Sequence, residues 1–378
     1  MVKGSNFGDV MKEEMQVQEA CARFGIQGEY KSFEIINSGH INTTYQVTFF
    51  RDGQDKRYIL QRVNTYVFEK PVEVMENIIA VTQYIRQKVK EKQATAKRNV
   101  LHYSQATDGR YYTYMEDGSF WRCYRYIDDS VCYMQVDDLS VVEEAGVAFG
   151  EFQLYLADFP VSNLNIVIPH FHNTVQRYAT FKASVEKDAV GRAKGIEDEI
   201  AGYLAFEEKA TQLYRLQSQG KLPLRVTHND TKISNVLFDK DTHKHLSVID
   251  LDTVMPGLIA TDFGDAIRIL ASRTDEDEKD LEKVGINLEK YKAFTKGFVN
   301  TLKMRMTDTE KQTLALGAFT MTAECGMRFL TDYLDGDKYF RVHYPTQNLD
   351  RARCHLKLAN DMLEHFDVMQ KIVNEYLD

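Results

Sequence analysis

The chain has 378 residues, of which 43% are apolar and 27% charged, with 6 prolines and 21 glycines. This composition is globular, and at roughly 150 residues per domain the length indicates about two domains or lobes. The formal charge of −9 argues against the broad basic surface that nucleic acids and anionic membranes require, although it leaves room for a local anion site.

The cysteines and the apolar segments exclude further classes of protein. The five cysteines are odd in number, widely spaced and without a C-x-x-C pair, so neither a disulfide framework nor a zinc site is indicated. No stretch reaches the roughly 18 apolar residues of a membrane span, and no apolar run follows the first residues. We expect a cytoplasmic protein whose cysteines, at positions 21, 123, 132, 325 and 354, are reduced and mostly buried.

Residues 1–127 predict a small α+β lobe. Apolar residues at helical spacing predict a leading helix over 9–24, which stops at Gly25. A second helix begins at Pro71, because proline is favourable in the first helical turn. Alternating apolar residues predict mostly antiparallel strands near residues 33–35, 45–49, 58–63, 99–103, 111–115 and 119–127.

Beyond residue 138 the pattern becomes mainly helical. A strand-rich block over 225–254 interrupts it. We therefore predict a first lobe over 1–127, a linker over 128–138 and a helical second lobe over 139–378. The helical segments are predicted over 139–158, 174–217, 288–304, 309–334 and 346–377.

The segment over 226–238 carries the clearest chemical pattern. It reads V-T-H-N-D-T-K-I-S-N-V-L-F, in which Asp230 and Asn235 have the spacing of the protein-kinase catalytic loop H-R-D-L-x-x-x-N, with Asn229 in place of the arginine. A short apolar strand then ends at Asp250. Each feature alone is consistent with a turn and an aspartate cap, but their combination indicates phosphoryl transfer.

These residue types suit that chemistry. Asp230 is suited to orient an attacking hydroxyl and to accept its proton. Asn235 and Asp250 offer one carbonyl and one carboxylate oxygen to Mg²⁺. Lys232 is within reach of the transferring phosphate as a point charge. We predict that His228 is structural and that it packs and hydrogen-bonds the loop.

The triplet D-F-G over 262–264 resembles the kinase metal motif, but we predict another role for it. Asp250 already occupies the end of the strand, and a Pro-Gly pair separates the triplet from it. We expect Asp262 or Asp265 to tie the catalytic loop or to cap the next helix.

The first lobe contains a weaker pattern. Its hairpin loop has one glycine rather than a G-x-G-x-x-G motif and by itself predicts only a hairpin tip. The order of loop, third strand and helix nevertheless reproduces the kinase order of phosphate loop, phosphate-pairing side chain and helix glutamate. The third strand lacks the expected lysine, so either Arg62 supplies the cation or backbone N–H groups and metal hold the phosphates. Glu76 is equally consistent with a solvated helix position. The predicted nucleotide-binding residues are Ser38, Gly39, His40, Ile41, Asn42, Gln61, Arg62 and Glu76.

With these motifs, the sequence resembles the phosphotransferase family of aminoglycoside, choline and homoserine kinases, and within it the bacterial N-acetylhexosamine 1-kinases. The resemblance covers nearly the whole chain. The catalytic-loop match is family-wide, whereas the stretches S-G-H-I-N from Ser38, L-Q-R-V-N from Leu60 and R-F-L-T-D-Y-L from Arg328 are similar to the narrower group.

The resemblance implies a two-lobed protein-kinase-like fold of the aminoglycoside phosphotransferase type, with a small antiparallel-sheet first lobe and a larger, mostly helical second lobe. It implies transfer of the ATP γ-phosphoryl group, with Mg²⁺, to the anomeric C1 hydroxyl of N-acetylglucosamine or N-acetylgalactosamine. Asp230 would be the base, and Asn235 and Asp250 would hold Mg²⁺. The residues that the resemblance places at the sugar are His40, Asp230, Arg328 and Tyr339.

Arg328 and Tyr339 each have a structural alternative. Arg328 lies in an apolar helical stretch, where a charge needs a ligand or a partner, and Glu324 is four residues before it on the same helix. Tyr339 can stack on or hydrogen-bond a pyranose, or it can belong to the core.

Two other functions are consistent with the same sequence. The acceptor can be a different hexose, choline, homoserine or an aminoglycoside, and the acidic residues Asp332, Asp335 and Asp337 suit a cationic acceptor. A catalytically inactive nucleotide-binding regulator would suit the missing lysine, although the retention of the proposed base and both metal ligands argues against it.

Overall fold

A computed structural model describes residues 7–36, 41–91 and 98–377. The predicted loop residues Ser38, Gly39 and His40 lie outside these ranges. By its internal contacts the chain divides into two compact units, one that extends to Ser130 and one that begins at Val131. The short strand β6 (Ser130–Val131), numbered in chain order, lies at this division.

Over its described residues, the first unit is a five-stranded antiparallel sheet with two helices. The strands occur in the spatial order β1-β2-β3-β5-β4, and the second helix lies between β3 and β4 in the chain. The elements are α1 (Phe7–Arg23), β1 (Glu29–Ile36), β2 (Thr43–Arg51), β3 (Gln54–Val63), α2 (Pro71–Glu91), β4 (Thr113–Tyr114) and β5 (Phe120–Arg125).

The two faces of this sheet carry different side chains, because successive residues of a strand point to opposite sides. On one face, Leu60 and Trp121 pack in a buried cluster with residues of α1, including Val17. On the other face, Arg122 approaches Met75 of α2. The sheet therefore separates an apolar layer beside α1 from a layer beside α2 that contains a buried arginine.

The second unit is mostly helical. Two antiparallel strand pairs, β7 with β10 and β8 with β9, support the segment around the predicted catalytic loop. The elements are α3 (Leu139–Tyr155), α4 (Thr174–Lys187), α5 (Glu197–Ala210), α6 (Gln212–Ser218), β7 (Arg225–Thr227), β8 (Val236–Asp239), β9 (His245–Val248), β10 (Met255–Gly257), α7 (Ile259–Leu270), α8 (Leu288–Leu302), α9 (Asp308–Gln312), α10 (Leu314–Asp335), α11 (Gln347–Glu364) and α12 (Phe366–Glu375).

Helices α7 and α10 meet through glycines, and this contact sets the position of α7 beneath the catalytic loop. A Cβ atom on Gly264 would overlap the backbone of Gly317, and a Cβ atom on Gly317 would overlap the backbone of Ala260. Only glycine therefore permits the two backbones to come this close. Helix α10 is buried over most of its length and ends at Gly336, whose φ of 93° is left-handed.

The observed elements differ from the predicted ones in detail. The segment predicted as one helix over 174–217 forms three helices, since Asp188 ends α4 in the left-handed conformation at φ 37°. The segment 99–103 makes a single isolated bridge, between Tyr103 and Tyr124, instead of a strand. Helix α7 was not among the predicted helical segments. No helix in the described ranges combines the length and apolar character that crossing a membrane demands.

Candidate active site

Hydrogen bonds to α7 fix the loop that follows β7. The carboxylate of Asp262, in the first turn of α7, accepts hydrogen bonds from the backbone N–H groups of His228 and Asn229, each at 2.8 Å. Gln153 donates to the same carboxylate at 2.6 Å. Asn229 has a φ of 64°, and these bonds hold it in that left-handed conformation.

Asp265 supports the next part of the loop. It accepts from the backbone N–H of Thr231 at 3.1 Å and pairs with Arg268 at 2.8 Å. The prediction that Asp262 or Asp265 ties the loop is confirmed, and both residues do so. The carboxylate of Asp262 binds backbone N–H groups of the loop, and that of Asp265 binds the loop and Arg268.

His228 is structural, as predicted. It is fully buried and makes edge-to-face contacts with the rings of Phe149 and Phe152. The centroid of the His228 ring lies 5.8 Å from the centroid of each phenyl ring. Its Nδ1 accepts from the backbone N–H of Asp230 at 3.2 Å, and its Nε2 donates to the carbonyl of Ile249 at 2.8 Å. These partners assign the proton to Nε2 and join the catalytic loop to the segment that carries Asp250.

Asp230, Lys232 and Asn235 come together as the sequence pattern requires. One carboxylate oxygen of Asp230, Oδ2, accepts from Lys232 Nζ at 2.9 Å and from Asn235 Nδ2 at 3.0 Å. Within the described ranges, the other oxygen, Oδ1, accepts no hydrogen bond. Burial acts to raise the pKa of Asp230, but the Lys232 charge and these hydrogen bonds outweigh it and lower that pKa. Asp230 is therefore an ionised carboxylate with one oxygen directed away from its partners.

Asp250 lies near this group with a φ of 59°. Partial desolvation, followed by the charges of Asp252 and Asp230, raises the pKa of Asp250 to about 6. Such a concentration of negative charge fits a bound cation. Asn235 is 3% exposed and gives its amide hydrogens to Asp230, which leaves its carbonyl oxygen as a ligand.

The donor set is therefore compatible with Mg²⁺. The described residues contain no cluster of three or more His, Cys, Asp or Glu side chains arranged around a metal. Mg²⁺ in phosphotransferases takes one or two protein carboxylates and completes its shell with phosphate oxygens and water, so it does not need such a cluster.

A second group of side chains surrounds Arg328 on α10. Its guanidinium lies 5.5 to 5.7 Å from the ring centroids of Phe171, Tyr339 and Phe340. The alternative ion pair between Arg328 and Glu324 does not form in the described part of the chain. Tyr339 is 69% exposed, so the alternative that it belongs to the core is wrong.

Glu324 is occupied elsewhere. It is 1% exposed and accepts from Thr174 Oγ1 at 2.5 Å and from His172 Nδ1 at 3.0 Å. Burial acts to raise the pKa of Glu324, but these hydrogen bonds outweigh it and keep the pKa below its usual value. His172 Nε2 reaches the backbone carbonyl of Asn229 at 3.4 Å. His172 thus connects α10 to the catalytic loop one residue before Asp230.

In the first unit, strand register separates the two side chains predicted to bind phosphate. Gln61 pairs in register with Arg122, accepts from its Nε at 2.8 Å and donates to Thr44 Oγ1 at 3.0 Å. Arg62 pairs with Trp121 and lies over its ring at 5.9 Å, on the opposite face of the sheet. Of the remaining predicted residues, Glu76 is exposed on α2, Ile41 is exposed, and Asn42 accepts from the backbone N–H of Asn64 at 2.9 Å.

Comparison with known proteins places this geometry in a family. The chain matches the sequence model of the phosphotransferase enzyme family over residues 32–293, which is more than half of its length. The chain belongs to this phosphotransferase family. It is an enzyme of the small-molecule phosphotransferase type, in which the segment around Asp230 lies inside the matched region.

Solved structures show that the phosphotransferase has the kinase-like fold of the aminoglycoside phosphotransferases. An aminoglycoside phosphotransferase from Alicyclobacillus acidocaldarius has 10% sequence identity and a TM-score of 0.64, with 95% of this chain and 96% of that chain covered. Choline kinase from Cryptosporidium parvum Iowa II has 14% identity and a TM-score of 0.59, with 97% and 99% covered. The GDP complex of aminoglycoside 2'-phosphotransferase-IIIa has 14% identity and a TM-score of 0.56, with 93% and 99% covered.

The sequence analysis missed two side chains that make contacts near the predicted site residues, Arg122 and His172. Arg122 interrupts the apolar strand F-W-R-C-Y-R, and a charged residue at an inward position of such a strand was the available signal. His172 had no comparable signal, because the tertiary fold alone brings it to Glu324 and Asn229.

Proposed function

We propose that the phosphotransferase transfers the γ-phosphoryl group of ATP to the anomeric C1 hydroxyl of an N-acetylhexosamine, in the manner of the N-acetylhexosamine 1-kinases. The observation that carries the proposal is the asymmetric carboxylate of Asp230, whose Oδ2 is held by Lys232 and Asn235 while Oδ1 accepts no hydrogen bond in the described part of the chain. An ionised oxygen in this state can orient a hydroxyl and accept its proton.

The proposed roles follow from the contacts of each residue. Asp230 Oδ1 takes the proton of the attacking hydroxyl, while Lys232 fixes the other oxygen and places a positive charge beside the transferred group. Asn235 and Asp250 would hold Mg²⁺, which supplies neutralisation of phosphate charge when bound. The hydrogen bonds that the backbone N–H groups of the loop donate to Asp262 and Asp265 maintain this arrangement before substrate arrives.

The surroundings of Arg328 support a neutral, hydroxyl-rich acceptor. Arg328 and the exposed ring of Tyr339 offer hydrogen-bond donors and a face for stacking, which are the usual means of holding a sugar. Burial, followed by the charge of Arg328, lowers the pKa of Arg177.

The acidic residues that would suit a cationic acceptor are engaged within the fold. Asp332 accepts from three backbone N–H groups over 338–340. Asp335 accepts from Ser184, and Asp337 pairs with Arg192 at 2.6 Å. Asp337 is thus neutralised by a cation, and the carboxylates of Asp332 and Asp335 are used to hold the fold, which favours a neutral sugar over choline or an aminoglycoside.

The test is acceptor-dependent release of ADP from Mg-ATP with N-acetylglucosamine, N-acetylgalactosamine, galactose, choline, homoserine and an aminoglycoside. We expect turnover with the two amino sugars, a product phosphorylated on C1 by ³¹P and ¹³C NMR, and a loss of roughly 10³-fold or more in kcat for Asp230→Asn. Turnover confined to another acceptor would overturn the sugar and keep the mechanism. Nucleotide binding without turnover of any acceptor would instead support the inactive regulator.

A further inference from the structure

Two arginines of the second unit, one on α4 and one on α10, contact the same residue. Arg177 donates from Nη2 to the Phe171 carbonyl oxygen at 2.9 Å, and the Arg328 guanidinium lies 5.7 Å from the centroid of the Phe171 ring. The next residue is His172, whose Nε2 lies 3.4 Å from the carbonyl oxygen of Asn229 in the predicted catalytic loop. Two consecutive residues therefore link this pair of cations to the loop.

The charges of the two arginines are not balanced by a partner. Neither guanidinium forms an ion pair with a carboxylate in the described ranges. The carboxylate of Glu324 is 1% exposed and already accepts hydrogen bonds from two other side chains. Burial and then the like charge of Arg328 lower the pKa of Arg177, and the opposing charges of Glu324 and Tyr339 do not cancel this shift.

The hydrogen-bond donors of this pair are open to solvent. None of the three guanidinium nitrogens of Arg328 is buried, and none donates a hydrogen bond within the described part of the chain. Arg177 Nη1 is in the same state, whereas Arg177 Nε is buried without a partner. Because arginine has donors and no acceptor, the pair offers only N–H groups to a molecule that binds beside it.

Aromatic rings border these donors. The Arg328 guanidinium lies 5.7 Å from the ring centroid of Tyr339 and 5.5 Å from that of Phe340. It therefore already makes the cation–π contacts that these rings would offer to another cation. The 69% exposed ring of Tyr339 remains available for apolar contact. An acylated amino group matches both features, since its carbonyl oxygen only accepts hydrogen bonds and its methyl group is apolar.

We propose that Arg177, together with Arg328, selects the acceptor by binding the carbonyl oxygen of an acylated amino sugar and by excluding the ammonium group of a free amino sugar. This inference rests on the proposed transfer to an N-acetylhexosamine and adds Arg177 as a residue that determines specificity. An ammonium group has only donors and carries the same charge as both arginines, so it meets unpaired donors and repulsion. A hydroxyl at the same position can accept a hydrogen bond, so a simple hexose should bind with intermediate affinity.

The experiment is calorimetric titration of N-acetylglucosamine, glucose and glucosamine into the full chain with Mg-ADP, at about pH 6.5, where glucosamine is mainly an ammonium ion. For Arg177→Met we expect roughly tenfold weaker binding of N-acetylglucosamine, less than threefold change for glucose and equal or stronger binding of glucosamine. The preference for the acylated over the free amino sugar should therefore fall by about tenfold or more.

Two further variants separate the charge of Arg177 from its shape and from the stability of α4. Arg177→Lys keeps the charge and loses the planar guanidinium, so it should bind N-acetylglucosamine a few-fold more weakly and still exclude glucosamine. Lys182→Met is the matched control, because it removes a positive charge from the same helix at an exposed ion pair with Glu207. It should change the preference by less than about twofold.

The outcomes are distinguishable. Arg177→Met with an unchanged preference for the acylated sugar, or with equal losses for N-acetylglucosamine and glucose, would overturn the inference. Binding of N-acetylglucosamine without its phosphorylation would overturn the proposed function and leave the role of Arg177 standing. Failure of N-acetylglucosamine to bind the starting protein would overturn both.

Discussion

At the scale of single residues, the site depends on which partner takes each hydrogen bond. Oδ2 of Asp230 is held by Lys232 and Asn235, which leaves Oδ1 for the hydroxyl that we propose it binds. Asn229, the preceding residue, donates its backbone N–H to Asp262, and its carbonyl oxygen lies 3.4 Å from His172 Nε2. The orientation of Asp230, the proposed base, is therefore set by the backbone on its amino-terminal side as well as by its own contacts.

His172 provides a prediction at this scale. In His172→Asn the amide nitrogen can replace Nδ1 and satisfy Glu324, but the side chain is too short to reach the Asn229 carbonyl. We expect the free energy of unfolding to stay within about 1 kcal/mol of the starting protein, while kcat falls roughly tenfold with a smaller change in acceptor KM. Urea unfolding and steady-state kinetics measure both quantities.

His172→Ala is the matched comparison. It leaves Glu324 buried with one fewer donor, so the protein should lose about 3 kcal/mol of stability as well as activity. A His172→Asn variant with normal kcat would show that the contact with Asn229 does not position the loop.

At the scale of elements, the position of the predicted catalytic loop depends on the position of helix α7. Asp262 and Asp265 both project from α7, and α7 is located by its close contact with α10. A displacement of α7 by a fraction of an ångström would lengthen the hydrogen bonds to the loop. Packing between two helices thus contributes to the geometry of the base.

The glycine contact predicts a strong effect of a single methyl group. In Gly317→Ala the new Cβ would meet the backbone of Ala260, which cannot move aside as a flexible side chain can. We expect a loss of about 2–3 kcal/mol in the free energy of unfolding and a lower kcat. Thermal and urea unfolding, together with kinetics, provide the measurement.

Gly202→Ala is the control, because the added Cβ in helix α5 would meet only the ends of the Leu356 side chain. Alanine is the better helix former by about 1 kcal/mol, so this variant should be neutral or slightly stabilised. A Gly317→Ala protein as stable as Gly202→Ala would contradict the role assigned to the contact between α7 and α10.

The junction between α3 and β9 predicts a dependence of stability on pH. His245 on β9 contacts Glu144 at 2.6 Å and Glu151 at 3.2 Å, both on α3. Burial opposes charge on His245, but these carboxylates outweigh it and raise its pKa to about 9. Burial likewise acts to raise the pKa of Glu144, but hydrogen bonds from His245 and Lys244 lower it to about 2.

The direction of the effect follows from these values. The stability from protonated His245 is complete below its ordinary pKa of 6.5 and is lost as the pH rises through about 9. The stability from ionised Glu144 is complete above its ordinary pKa of 4.5 and is lost as the pH falls through about 2. Between pH 4.5 and 6.5, His245→Gln should therefore cost on the order of 2 kcal/mol, and the difference should shrink toward pH 9.5.

Urea unfolding of both proteins at pH 5.5, 7.5 and 9.5 measures this trend. His343→Gln, at an exposed histidine, serves as the control and should show no difference at any of the three values. A cost for His245→Gln that does not vary with pH would indicate lost packing instead of a charged contact.

At the scale of the whole molecule, the fold class was predictable because its signals are local. Strand alternation, helix periodicity and the spacing of Asp230 and Asn235 are all properties of short segments, and they predicted an antiparallel sheet, a helical second part and a catalytic loop. The roles of Asp262 and His228 were also predictable. For Asp262 the reason is that Asp250, two residues after the end of β9, already offered the expected metal ligand.

The features that escaped prediction depend on contacts between distant segments. Arg122 and Gln61 meet because β5 pairs with β3, although a long helix separates them in sequence. The partners of Glu324 are His172, just before α4, and Thr174, the first residue of α4, so the ion pair with Arg328 that helical spacing offered as an alternative does not form in the described part of the chain. Helix boundaries within 174–217 were missed because Asp188 ends α4 without a glycine or proline at that position.

Asp332 has a consequence for which residues of the loop over 338–340 can change. Its carboxylate accepts from the backbone N–H groups of Lys338, Tyr339 and Phe340, at 2.8 to 2.9 Å, and makes no use of their side chains. The path of this loop is therefore encoded by a residue outside it. Mutations that exchange the ring at position 339, which we propose meets the acceptor, leave the backbone hydrogen bond to Asp332 intact, so this side chain can vary while the path of the loop is kept.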